Sequence, residues 1–217
     1  PMRYDTHFTK DMPMATATTE APPGVAQATE IRWHARGGQG AKTASTFLAE
    51  SAVDAGFFAQ GFPEYGPERM GAPIRAFNRV SERPIRRNTA VTEPDIVIVL
   101  DDTLLETVDI AEGAAEGTVF IINATATAGS DRAAALSAAV HGATCYVLDA
   151  NGIAVDEIGR PIPNTPMVGA MLKATGVLPL DTVIQAMSYK LGKKLPPKVV
   201  AGNVAAMRRA YEEVTQI

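Results

Sequence analysis

Ile31-Arg32-Trp33-His34-Ala35-Arg36-Gly37-Gly38-Gln39-Gly40-Ala41-Lys42 is the stretch on which the fold turns. Ile31 to His34 reads as a short strand that runs straight into a glycine-rich turn. From Ala41 the pattern becomes helical, with Ala44, Phe47, Leu48, Ser51, Ala52 and Ala55 recurring at three- and four-residue spacing. Gly56 stands where a helix C-terminal glycine belongs, and Phe57 to Gly61 reads as a second strand. Strand, glycine turn, helix and strand in that order predict one right-handed βαβ unit.

Working outward, residues 62–73 are rich in turn formers, and Ile74 to Val80 is the next strand, ended by Pro84. Asp95 to Leu100 is an aliphatic run of the kind buried on both faces of a parallel sheet. A helix is expected over Leu104 to Glu112, a strand over Val119 to Asn123, a helix over Asp131 to Val140 and a strand over Thr144 to Asp149. After Gly159 a proline-rich turn leads to three helices near 167–175, 181–191 and 197–214, the last with Pro196 and Pro197 suited to its first turn. The fold class is therefore α/β and Rossmann-like, a mostly parallel sheet with helices on both faces and further helices at the C-terminus. Residues 1–29 lack either periodicity and read as an extended N-terminal arm, disordered or laid on a partner. The α/β domain spans 30–217.

Composition narrows the chemistry. The formal net charge is −4, which gives no reason to expect nucleic-acid binding. No apolar run approaches membrane-spanning length, and no secretory signal pattern opens the chain, so a cytoplasmic location is expected. A lone cysteine, Cys145, cannot hold an iron–sulfur cluster and reads as a core thiol in a strand. His7, His34 and His141 share no ligand spacing, so any metal or cluster chemistry must come from a partner chain.

Arg36-Gly37-Gly38-Gln39-Gly40 offers backbone N–H groups at a positive helix end, suited to a phosphate, a carboxylate or a neighbouring subunit's backbone. It is neither a G-x-G-x-x-G fingerprint followed by an acid at the end of the second strand, nor a P-loop, because Lys42 is misplaced. A purely structural tight turn is the competing reading. From Arg69 to Arg87 six arginines face one acid, Glu82. The favoured reading is a solvated or interfacial strand paired with acids elsewhere, and the alternative is an anion site, for instance for coenzyme A phosphates. Asp101 and Asp102 end a predicted strand where α/β proteins place ligands, though helix capping accounts for them as well. No nucleophile–base constellation is apparent.

Taken together, Arg36 to Gly40 opening a helix, then Phe62-Pro-Glu-Tyr-Gly-Pro-Glu-Arg-Met-Gly-Ala-Pro73, then Asn164 to Met171 and Asn203 to Tyr211, resemble the gamma subunit of pyruvate/2-ketoisovalerate ferredoxin oxidoreductases. One departure is Met70, where the family commonly has a second arginine. The resemblance implies membership of a complex that oxidatively decarboxylates a 2-oxoacid to an acyl-CoA and passes electrons to ferredoxin or NAD. It places thiamine diphosphate and magnesium between alpha and beta subunits, and [4Fe–4S] clusters in beta and delta parts. This chain would be non-catalytic, with Gly37, Gly38, Gln39, Gly40, Glu64, Tyr65, Glu68 and Arg69 as contacts to coenzyme A or to partner subunits. The alternative is a free-standing nucleotide-binding Rossmann oxidoreductase. An indolepyruvate-type relative would share the glycine turn but normally lacks the Pro-Glu-Tyr-Gly-Pro-Glu-Arg run.

Overall fold

The strand β1 (Thr29–Arg36) sends alternate side chains to two unlike faces. Ile31, Trp33 and Ala35 are buried in the larger apolar core. Glu30, Arg32 and His34, also buried, carry charge and polarity to the other side. The computed structural model describes residues 28–64 and 70–217. The arm expected over residues 1–29 therefore lies outside the described residues up to position 27, and Thr29 already belongs to β1.

After the glycine turn, α1 (Ala41–Asp54) carries the chain back to β2 (Phe58–Pro63). The expected βαβ unit is modified here. β2 does not pair with β1, because β3 (Pro73–Ser81) lies between them, antiparallel to both. On the other side of β1, β4 (Ile96–Val99), β5 (Val119–Asn123) and β6 (Thr144–Leu148) follow in parallel. A short antiparallel β7 (Thr215–Gln216) closes that edge, giving the order β2-β3-β1-β4-β5-β6-β7. Only β3 and β7 run against the common direction, so the sheet is mostly parallel, as the aliphatic runs imply.

Both faces are covered, unequally. On one side α1, α3 (Ala150–Ile158), α4 (Asn164–Thr175), α5 (Leu180–Gly192) and α6 (Pro197–Glu213) share a single core with Trp33, Ile98 and Ile121. On the other, α2 (Ala126–Ala139) and the segment around Leu104 and Ile110 pack on Val97, Val99, Phe120 and Ile122. Close packing of α1 on β2 is possible because position 61 is glycine: a Cβ there would sit 2.4 Å from the Ser45 carbonyl oxygen. Asn78 fastens the same region. Its Oδ1 accepts from Trp33 Nε1 at 2.8 Å while its Nδ2 donates to the Ser45 carbonyl at 2.7 Å. A buried amide bonded at both ends stabilises the contact, whereas an unpaired one would cost about 1–3 kcal/mol.

The helix expected over Leu104 to Glu112 is instead one 3-10 turn, Asp102–Glu106. The chain then turns so that the carbonyls of Ile110 and Glu112 accept from Arg32 Nη2, at 3.0 and 2.6 Å. Continuing the helix would have left that buried guanidinium without partners. α2 starts at Ala126, earlier than the expected Asp131. The helix α3 was absent from the sequence reading; it is set by Asp149, whose side chain accepts from the Gly152 amide, and by Asn123, whose Oδ1 accepts from the Ala150 amide. Among the described residues no helix is long and apolar enough to cross a membrane.

Candidate functional site

The glycine turn sits at the C-terminal end of β1, the end at which parallel α/β sheets receive ligands. Gly38 and Gly40 both have positive φ, 101° and 87°, which explains glycine at these two positions. A Cβ at Gly38 would meet Met70 Sδ at 2.9 Å, and one at Gly40 would meet Asn164 Nδ2 at 2.6 Å. The turn is also tied to the segment before β3, since the Gly37 amide donates to the Ala72 carbonyl at 2.9 Å and the Gly71 amide to the Gly37 carbonyl at 3.2 Å.

Gln39 faces inward. Its Oε1 accepts from the Arg36 amide at 2.8 Å and its Nε2 donates to Asp101 Oδ2 at 2.7 Å. Asp101 in turn accepts from the Thr103 amide and hydroxyl, and Arg36 donates to that hydroxyl and to the Gly71 carbonyl. Burial opposes ionisation of Asp101, but hydrogen bonds from Thr103 and Gln39 and the Arg36 charge outweigh it and hold its pKa below the ordinary value. Asp101 therefore both caps the 3-10 turn and braces the glycine loop, so the capping role weighed in the sequence is present.

Two helices start at this place. Neither α1 nor α4 has a side-chain cap or an acidic residue in its first turn. Asn164, the first residue of α4, donates from Nδ2 to the Gly40 carbonyl at 3.5 Å, so the two positive helix ends converge. Arg36 stands beside them, partly exposed. Thr165 extends the arrangement by donating to Asn203 Oδ1 of α6 at 3.0 Å. The ensemble suits an anionic group, and it supplies no nucleophile with an adjacent base.

Of the residues singled out in the sequence, Gly37, Gly38, Gln39 and Gly40 fall together here. Glu64 lies apart on the β2 side, where it accepts two hydrogen bonds from Arg75, at 2.6 and 2.9 Å. Those bonds lower the Glu64 pKa and raise that of Arg75. Tyr65, Glu68 and Arg69 lie outside the described residues. Arg36, Thr103 and Asn164 were not picked out as site residues. Arg36 and Asn164 stood inside quoted motifs, but nothing in spacing alone joins position 40 to position 164.

The arginine segment resolves into two groups. Arg75 is paired with Glu64 and Glu112, and Arg79 forms a buried pair with Glu30 at 2.8 Å. Neither is free for a ligand, which corrects the anion-site reading for these two. Arg83 and Arg86 are exposed and make no ion pair with a described residue. Cys145 is buried in β6, and burial raises its thiol pKa. Among the described residues no group of three His, Cys, Asp or Glu side chains could hold a metal ion.

Residues 30–213 match the family Pyruvate ferredoxin/flavodoxin oxidoreductase. The chain is 48% identical over 185 residues to pyruvate synthase subunit PorC of Thermotoga maritima, covering 85% of this chain and 94% of that one. It is 42% identical over 188 residues to the pyruvate/ketoisovalerate oxidoreductases common subunit gamma of Thermococcus litoralis, covering 85% and 96%. In three dimensions it resembles the crystal structure of pyruvate oxidoreductase subunit PORC from Thermotoga maritima. That likeness has a TM-score of 0.74 and 41% identity, and covers 88% of this chain and 98% of the other.

Proposed function

The chain belongs to the pyruvate ferredoxin/flavodoxin oxidoreductase family, and on that premise we propose that it is the gamma subunit of a multi-subunit, thiamine-diphosphate-dependent 2-oxoacid oxidoreductase. The complex decarboxylates a 2-oxoacid, transfers the acyl group to coenzyme A and passes two electrons to ferredoxin or NAD. The observation that carries the reading is coverage: the chain spans 94% and 96% of relatives that are themselves named as separate subunits.

Thiamine diphosphate, magnesium and the [4Fe–4S] clusters belong, in this reading, to alpha, beta and delta-type partners. The residues here do not fit a cluster, since the one cysteine is buried within β6. This chain is non-catalytic and works by shape and charge. The converging ends of α1 and α4, with Arg36, favour a phosphate of coenzyme A; Tyr65, Glu68 and Arg69, which lie outside the described residues, are proposed from the family resemblance alone as contacts to coenzyme A or to a neighbouring subunit.

A free-standing dinucleotide-binding enzyme fits the geometry less well. In such folds the second strand lies beside the first, and the acid at its end reaches the ribose. β2 runs to Pro63 rather than to Gly61, so Glu64 does follow it, yet β3 separates it from β1 and Arg75 occupies its carboxylate. Co-expression with the partner subunits is the test. The complex is expected to oxidise a 2-oxoacid only with coenzyme A present, and the isolated chain to be inactive. Asn164→Ala and Arg69→Ala should each raise the KM for coenzyme A or lower the yield of complex. Unchanged KM and unchanged yield for both would refute the contact, and retention of NAD(H) by the isolated chain would favour the alternative.

A further inference from the structure

The strand β2 is one edge of the sheet, at the far side from β7. Glu64 N donates to the carbonyl of Arg75 at 2.9 Å, which fixes the pairing phase of the antiparallel ladder. Phe58, Gln60 and Phe62 share the phase of Glu64 and turn their backbone groups toward β3. The alternate residues Ala59 and Gly61 therefore direct their N–H and C=O groups outward.

Natural edge strands are usually shielded by charges, bulges or a covering loop. Phe58 to Phe62 carries no charge, and Phe58 is 46% exposed. Next to it Val53, Phe57, Phe58 and Ile85 line a shallow notch of about 380 Å³. Val53, at the end of α1, is 55% exposed.

The second feature is charge. Ile85 belongs to the turn after β3, which carries Arg83, Arg86 and Arg87 against Glu82 alone. Gln60 Nε2 donates to Asn88 Oδ1 at 3.3 Å, so this turn lies against the β2 face that bears Gln60. Arg87 approaches Glu30 at 3.6 Å but remains 70% exposed. In a chain of net charge −4 this is a concentrated basic patch. It lies toward the N-terminal ends of the parallel strands, away from the glycine turn.

We propose that the edge of β2, unpaired among the described residues and with the arginine turn beside it, binds an extended acidic segment of another polypeptide as an eighth strand. Main-chain bonds to Ala59 and Gly61 would supply the register. Acidic side chains of the added strand would meet the arginines, and apolar ones would enter the notch between Val53 and Ile85. The inference does not depend on the glycine-turn reading, because it uses the opposite end of the sheet.

The test uses the full chain and a capped ten-residue peptide alternating Glu and Val, with a Lys–Val peptide as control. Hydrogen exchange at Ala59 and Gly61 should slow about tenfold or more on addition of the acidic peptide, and not with the basic one. The double variant Arg83→Glu/Arg86→Glu should weaken binding about tenfold or more, as should Phe58→Glu. All three positions are exposed, so thermal unfolding should stay within a few degrees of the parent. The proposal is overturned if both peptides bind alike, if exchange at the two amides is unchanged, or if the variants bind as tightly as the parent. A doubled native mass with those amides already protected would also overturn it, since a second copy would then occupy the edge.

Discussion

His34 makes a sharp prediction about acid stability. It is buried on β1 beside the charges of Arg32 and Arg75, and its Nε2 has no hydrogen-bond partner among the described residues. Desolvation, then the Arg32 and Arg75 charges, push its pKa from 6.5 down to about 3. The folded chain keeps the imidazole neutral while the unfolded chain takes up a proton near 6.5, so the stability is present above 6.5 and lost as pH falls. Each pH unit below 6.5 removes about 1.4 kcal/mol until the folded-state pKa is reached. Between pH 6.5 and 4.5 that is about 2–3 kcal/mol, a large share of a typical domain's about 5–15 kcal/mol. Urea unfolding of the parent and His34→Gln at pH 7.5, 6.5, 5.5 and 4.5 isolates the effect, because His7 and His141 are common to both chains. The stability difference between the two should narrow or reverse by that amount as pH falls. Parallel curves would show that His34 is protonated in the folded state and that the burial argument fails.

Two further perturbations separate backbone strain from contact. Gly56→Ala meets a positive φ of 89° in open space and should cost about 1 kcal/mol, whereas Gly40→Ala meets a similar φ and also displaces Asn164, for about 2–3 kcal/mol in denaturant titration; equal losses would mean that Asn164 yields freely. Cys145 should resist thiol reagents in the native chain and react fully once unfolded, given its burial and raised pKa; rapid native labelling would place it outside the core.

The local elements were legible in the sequence wherever one period governed a segment. The aliphatic run around Ile96 to Val99 and the three- and four-residue spacing after Ala41 each have one physical solution, and both elements stand where that solution puts them. Periodicity was blind where a distant partner decided the conformation. The 104–112 segment has a helical pattern, but Arg32 on β1 takes its carbonyls. α3 begins where Asn123 and Asp149 satisfy its first amides, and neither bond is visible as a pattern.

The candidate site divides in the same way. By itself the sequence determined that this is an α/β chain with a glycine turn opening a helix, without cysteines for a cluster, because composition and short-range spacing suffice for those statements. Only the tertiary structure decided that β3 enters between β1 and β2 and that Asn164 closes on Gly40. It also decided that Arg75 and Arg79 are spent on Glu64 and Glu30, leaving Arg83 and Arg86 unpaired among the described residues. The physical reason is range. A turn or a helix period is set by neighbours a few residues apart, whereas strand order and the pairing of charges depend on which distant segments the core brings together.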